Sequence, residues 1–539
     1  MGYLITCIVF LYIVIRYLKV IMTVLKCFQR ITCFKSWSRK KYAILDSLTK
    51  VLKIGVLCMV YSLLNRFALM AQRDSTATAL KPFEIQEIEV IGRRSQTVFS
   101  QVSRIVTVIS RDDIEKAGVQ YITDLLEYVS NIDIRQRGGF GVQSDASLRG
   151  GSFDHVMVLV NGINFSDPQS GHLSLDLPVD PEAIERIEIL EGPAARILGP
   201  GAFTGALNIV TRQGNTKGME ASQVFGNFGF VRTQADLRVK TGKVGNFLSL
   251  SRSASKGYME NTDHLAHNLY YRATLNIDPS LIDFQAGFQQ KQFGAAGFYS
   301  PRFPDQYEES EVWFASVRAH TGTMIKVTPA FYWRRRKDHY LLKRDDPGFY
   351  ENFHLTDIYG GQLNLSYGSQ NMITTLGLDL RSENILSNNI GYEVDKPRAV
   401  RGHDSAYYDK KFGRTNVALF GESNIQQGNL SVSAGLMLNW SNAYREKPFL
   451  FPGLDVSYRI LPGAHLYASF NRALHMPTYT DLWSFESNRY APVNLGRNQA
   501  WGYNKPWGCQ QYLLYNSLPA VLADRWICPM EIQDFGSIH

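Results

Sequence analysis

The 450 residues from Met59 to Gly508 contain no cysteine. The six cysteines of the chain lie outside them: Cys7, Cys27, Cys33 and Cys58 before, Cys509 and Cys528 after. The body therefore has no disulfide framework, no CxxC and no thiolate metal site. Cysteine avoidance over such a length suits export through an oxidising compartment. Long apolar runs are also missing. Beyond residue 64 no stretch of about 18 apolar residues exists to make a spanning helix, which excludes a helical membrane bundle. Acidic residues are scarce at one end only. Residues 1–73 hold 12 Lys/Arg and a single acid, Asp46. The whole chain is +8, which leaves −3 on the remaining 466 residues. A slightly acidic body argues against a nucleic-acid partner. Enzyme signatures are lacking as well: no HExxH, no P-loop and no GxSxG elbow. Gly199-Pro200-Gly201 … Gly205 precedes a strand, where a dinucleotide site needs a helix N-terminus. The sequence reads as a non-enzyme.

What is present is unevenly distributed. Lys40, Lys41, Lys50 and Lys53 precede an apolar run, Ile54–Leu64, followed by Ala71 and the polar Gln72-Arg73-Asp74-Ser75. That order is a secretory signal peptide with cleavage after Ala71. An upstream run, Tyr3–Ile15, stands open between an inner-membrane anchor and translated upstream sequence, the latter preferred. Three of the eight Trp fall in the last 39 residues, where alternation stops. The expected division is 1–71 extension and signal peptide, 72–92 periplasmic segment, 93–212 compact mixed domain, 213–500 strand train, and 501–539 an atypical, frameshift-like tail.

The compact segment carries the specific signal. Glu87-Ile88-Glu89-Val90-Ile91-Gly92 is a short extended run, followed by the basic pair Arg93-Arg94. Ile105–Ile109 reads as a strand, and Ser110 caps a helix with acids in its first turn. A second helix is expected over Thr123–Val129, then a strand at Ile132–Arg135. His155–Gly162 reads as a buried strand ended by an Asn-Gly turn. Ile184–Leu190 and Leu207–Thr211 bracket Glu191-Gly192-Pro193 and the glycine-rich stretch behind it. Downstream, Leu430, Val432, Ala434, Leu436, Leu438 and Trp440 alternate with Ser431, Ser433, Gly435, Met437 and Asn439. Similar runs lie at 224–239, 247–253, 363–367, 417–425 and 454–460. Such a strand shows lipid one face and water the other. A soluble β-sandwich alternates in the same way.

In order, Ser147-Leu148-Arg149-Gly150, Val156–Gly162 and Ile184–Thr211 resemble the plug of TonB-dependent outer-membrane receptors. The strand train and the run Asn471–Leu482 resemble the barrel of the same family, which decides against the sandwich. Glu191 and Leu198 stand where many relatives have Arg and an aromatic. The resemblance implies a mixed α+β plug inside a transmembrane antiparallel β-barrel of about 22 strands. Residues 213–500 supply only about 12–16 strands by the length each crossing needs. The expectation is therefore a barrel incomplete here, and a chain truncated and nonfunctional as written. The passive alternative is a surface ligand-binding protein.

The same resemblance implies the roles. Glu87, Ile88, Glu89, Val90, Ile91 and Gly92 would be the TonB box, to which TonB adds a strand; an ordinary edge strand is the other reading. Plug apices would bind ligand through Gly139, Phe140, Gly141, Gln143, Ser144, Asp167, Gln169, Ser170 and His172. Arg149, Gly150, Gly162, Gly192, Pro193, Gly199 and Gly205 would be structural, with Arg149 either paired to wall carboxylates or solvated. Pro168–His172 and Phe293–Tyr299 look like the cobalamin-receptor-like branch, leaving cobalamin, a siderophore or a similar metal complex as cargo. Partners would be TonB, outer-membrane lipid and that ligand, with no nucleic acid. No cofactor and no metal site is assigned. His155 and His172 are weighed as ligands and read mainly as locally bonded. The acidic run Asp305–Glu311 offers oxygen ligands to Ca²⁺, but reads first as a solvated extracellular loop.

Overall fold

A computed structural model describes residues 89–90, 97–98, 106–139, 141–443, 448–461, 464–483 and 513–516. The chain divides into Met1–Glu84 and Ile85–His539, and the described residues all belong to the second unit. The signal peptide, the upstream run, Phe140 and all of the box except Glu89 and Val90 lie outside them.

The N-terminal domain forms where the local sequence is least ambiguous. Strand β1 (Glu89–Val90) pairs antiparallel with β2 (Thr97–Val98) in a two-stranded sheet. Strand β3 (Val106–Ile109) leads into helix α1 (Arg111–Ala117). Ser110 and Asp113 close a reciprocal capping box there, satisfying amide donors that the helix start leaves unpaired. Gly118 ends α1 in the left-handed conformation. Helix α2 (Ile122–Leu126) is shorter than the expected 123–129 segment. Strands β4 (Ile132–Arg137) and β5 (Gln143–Leu148) form a hairpin.

The core sheet of this domain adds β6 (Val156–Val160), β7 (Ile163–Asn164), β8 (Ile184–Glu191) and β9 (Gly205–Thr211). Its order is β3-β8-β9-β6-β7, with β6 and β9 parallel and the other pairs antiparallel. All five residues of β6 and all seven of β9 are buried. This is why those runs read as continuous apolar stretches without alternation. Asn161 and Gly162 both have positive φ, as a two-residue hairpin turn between right-twisted strands demands.

The second part is a single antiparallel sheet of fifteen strands, residues 218–516. In chain order these are β10 (Gly218–Phe225), β11 (Val231–Thr241), β12 (Val244–Ser255), β13 (His264–Ile277), β14 (Ser280–Gly294), β15 (Tyr307–His320) and β16 (Ile325–Leu341). Then follow β17 (Glu351–Ser369), β18 (Met372–Ser387), β19 (Tyr392–Ala399), β20 (Tyr407–Gln427), β21 (Leu430–Ser441), β22 (Phe449–Leu461), β23 (Ala464–Arg472) and β24 (Leu513–Asn516). Each pairs with its neighbour, except that β20 pairs with β18 while β19 extends β20 laterally. Among the described residues β10 and β24 do not pair, so the sheet is not closed. Strand β24 lies within the segment expected to be an atypical tail. One sequence expectation needs correction: 224–239 is two strands. A turn at Asn227–Gly229 with Phe228 in the left-handed region breaks it.

This sheet is inverted relative to a soluble one. Leu363 faces Leu378, which faces Leu419, then Leu438, then Leu450, one leucine row across five strands. Leu363, Leu378, Leu419 and Leu450 are 40–51% exposed. On the opposite face Arg232, Gln234, Asp236, Arg272, Asp283, Gln285, Arg334, Glu422, Ser433 and Asp455 are buried. Apolar outside and polar inside is the pattern of a membrane-crossing wall. Among the described residues no helix is long and apolar enough to cross a membrane.

Candidate ligand face and plug–wall junction

The polar face of the wall is buried because the N-terminal domain, the plug, lies against it. One hydrophobic cluster joins plug residues such as Val158, Ile187 and Ile209 to Phe247, Tyr270, Phe314 and Tyr332 of the wall. Polar contacts surround it. Arg318, Arg334 and Arg381 donate to plug carbonyls between Asn161 and Ser166: Arg318 to Asn161 at 2.6 Å and Arg381 to Asn164 at 2.9 Å. Arg334 bonds Phe165 and Ser166. Asp176 of the plug meets Lys291 and Arg336. Burial alone would raise its pKa, but the two cations outweigh burial and hold the carboxyl below its ordinary range.

The most enclosed junction centres on Arg196, in the short helix α3 (Ala195–Leu198). Its side chain is 0% exposed and so are those of Glu422 and Asp455. It donates to Asp455 at 2.7 Å, Glu422 at 3.2 Å, Ser433 at 2.7 Å and Asn471 at 2.5 Å. A single plug cation thus bridges four wall strands. The resemblance had offered that role to Arg149. The structure instead sets Arg149 beside Glu191 of the plug, whose pKa burial raises while Arg149 pulls it back. Arg196 was missed because its partners lie 226 to 275 residues away in the chain.

Of the expected apex residues, His172 meets β5 through Asp145, while Gln143 and Gln169 bond residues of the strand domain. Gln143 and Ser144 sit in β5, with Gln143 Nε2 donating to Tyr299 at 2.9 Å. Asp167 accepts from the amides of Ser170 and Gly171. Gln169 donates to Asp338 at 2.8 Å. His172 contacts Asp145 at 2.9 Å and stacks on Phe153 with ring centroids 4.0 Å apart. Gly139 and Gly141 flank the undescribed Phe140 in the loop before β5. Four of these residues keep a buried polar atom with no hydrogen-bond partner: Gln143 Oε1, Ser144 Oγ, Asp167 Oδ1 and Gln169 Oε1. Buried polar atoms are normally paired, and these four have no partner among the described residues.

The expected structural positions hold special backbone. Gly150, Gly162, Gly192, Gly199 and Gly205 all have positive φ, and Pro193 is buried. At Gly205 a Cβ would stand 2.3 Å from both Leu148 Cδ2 and the Leu190 carbonyl oxygen. No side chain fits there without moving β8.

The run Asn471–Leu482 turns back onto this face. Tyr479 and Thr480 amides donate to the carbonyls of Pro168 and Gln169, each at 2.8 Å, as helix α4 (Tyr479–Trp483) begins. His155 lies beside this run and is taken up below. The acidic run is corrected: Tyr307–Glu311 opens β15 instead of forming a loop. Glu308 faces inward, while Glu309 and Glu311 take the other face. Their side chains bond Tyr299, Tyr307 and Lys337 respectively. Strand alternation sends these carboxylates apart and does not gather them around an ion.

Residues 98–206 match the TonB-dependent receptor plug domain, and residues 208–507 match the TonB-dependent receptor-like β-barrel. The chain is 23% identical over 445 residues to the vitamin B12 transporter BtuB of Vibrio vulnificus, covering 76% of this chain and 67% of that one. Among solved structures it resembles the FrpB iron transporter of Neisseria meningitidis, with TM-score 0.57 and 15% identity over 70% of this chain and 65% of that one. It also resembles the ferric enterobactin receptor PfeA of Pseudomonas aeruginosa, with TM-score 0.54 and 17% identity over 70% and 62%. The chain thus spans slightly less than two thirds of these solved receptors.

Proposed function

The chain belongs to the family of TonB-dependent receptors, and from that premise we propose that it imports a scarce metal-complex ligand across the outer membrane. The cargo class is a corrinoid or an iron–siderophore complex, as the names of its relatives suggest. The observation that carries this reading is the inverted wall with a plug seated against its polar face. A wall with an apolar exterior belongs in lipid, and the plug covers the polar face that such a wall turns away from it. Ligand binds at the apex face, where Gln143, Ser144, Asp167 and Gln169 keep unpaired polar atoms. Energy arrives through TonB, which adds a strand to Glu87–Gly92. Support for this comes from β1 and β2, whose two-stranded sheet leaves, among the described residues, an open edge on each strand. The basic stretch Lys40–Lys53 with the apolar run Ile54–Leu64 serves as the export signal, cleaved after Ala71.

Deleting Glu87–Gly92 tests the reading in cells through radiolabelled cobalamin and ferric-siderophore uptake. Uptake should vanish while surface binding of the same ligand persists. Equal uptake with and without the box would favour a passive binding protein and overturn the energised reading.

A further inference from the structure

Asp154 and His155 occupy a single 3₁₀ turn on the plug, Phe153–His155. His475 lies just past β23, in the run that folds back onto the plug. Chain positions more than 300 residues apart thus meet at one point. His475 Nε2 is 2.8 Å from Asp154 Oδ2. The rings of His155 and His475 stand edge to face at 4.7 Å. One ligand atom from each of the three residues lies within 4.8 Å of the others. His475 is 8% exposed, and its Nδ1 has no hydrogen-bond partner among the described residues. The nitrogen that faces Asp154 is Nε2, so an ion held by both would take the place of the proton they share. Phe203 packs against His155 at 4.8 Å and shields the far side.

We propose that Asp154, His155 and His475 bind a divalent first-row transition-metal ion of the Zn²⁺ class. Two imidazoles with one carboxylate suit zinc and its neighbours, whereas Ca²⁺ and Mg²⁺ ask for oxygen ligands. Three protein ligands leave a fourth position open, the mark of an exchangeable site as opposed to a closed structural one. Asp154 and His475 also line a cavity of about 100 Å³, together with Met157, Met476 and Asp167. The cavity holds an ion with a few waters at about 30 Å³ each. Two ligands belong to the plug and one to the segment behind the wall. In the import reading, on which only this last step rests, displacing the plug parts the ligands and releases the ion.

The test uses the full chain in detergent, stripped with chelator and titrated with ZnCl₂ by calorimetry, with Co²⁺ absorption reporting coordination. One ion per chain should bind in the micromolar range. Asp154→Asn and His475→Ala should each weaken binding at least tenfold, while His267→Gln, in β13, should not change it. An anomalous difference map of the wild-type protein at the zinc edge keeps the answer independent of variant folding. Metal should sit within about 2.0–2.2 Å of the named ligands. No peak there, or unchanged binding in both variants, would overturn the proposal. Neither readout involves TonB or uptake, so a failed import reading would leave this result standing.

Discussion

Plug and wall are built on opposite rules from the same amino acids. In the plug, β6 and β9 bury every side chain, and the core is apolar. In the wall, leucines point outward and Arg, Glu, Asp and Ser point inward. Each part alone would be half unsatisfied. The wall's inner charges need partners, and the plug supplies carbonyls, carboxylates and Arg196. The difference shows that solvent, not hydrophobicity itself, decides which face is inside: lipid takes the leucines and the plug takes the charges.

The sharpest way to break the complementarity is Arg196→Ala. It strands Glu422 and Asp455 in a dry junction. Removing one partner of a buried pair costs about 3–5 kcal/mol, so the plug should become protease-sensitive under conditions where the wall is intact. Adding Glu422→Gln and Asp455→Asn to that variant should recover part of the loss. No recovery would mean that the arginine acts through packing and not through charge.

A lipid-face change comes next. Leu419→Lys, in the middle of the five-leucine row, should cost about 2–4 kcal/mol in bilayers. Exchanging exposed Lys240 on β11 for Leu should cost far less. Comparable costs in unfolding titrations from lipid vesicles would argue that the row does not face hydrocarbon.

The smallest effect concerns Glu191. Burial raises its folded pKa above the ordinary value near 4.5. A raised folded value adds stability that is complete below the unfolded pKa and is lost as pH rises through the folded one. Hydrogen-exchange protection around β8 should therefore decline from about pH 4 towards neutrality in the wild type. Glu191→Gln should flatten that decline. An unchanged slope would assign it to another group.

Much of this was legible because it is local. Ser110 with Asp113, the Asn161-Gly162 turn and the alternation of 430–440 each declare themselves within a few residues. The family resemblance added the order of the parts. The turn at Asn227–Gly229 was obscured because Val224, Phe225, Phe228 and Phe230 continue an apolar look through it. Short-range patterns say nothing of Arg196 meeting Glu422, or of Asp154 meeting His475, since only the register of the sheet brings them together. The acidic run 305–311 misled for a related reason: charge suggested a loop, while the period of two belonged to a strand whose inner face is polar.

The position of β3 in the plug sheet has a mechanical consequence. It is the edge strand, tied to β8 through four register pairs, Val106 to Leu190 through Ile109 to Ile187. It is also the first strand of that sheet along the chain. Any tension entering from the N-terminal side loads β3 before it reaches β9 and β6 at the centre. The sheet would then come apart in series, with a weak first link, so a modest pull could detach one strand while the parallel pair beneath it still holds its shape.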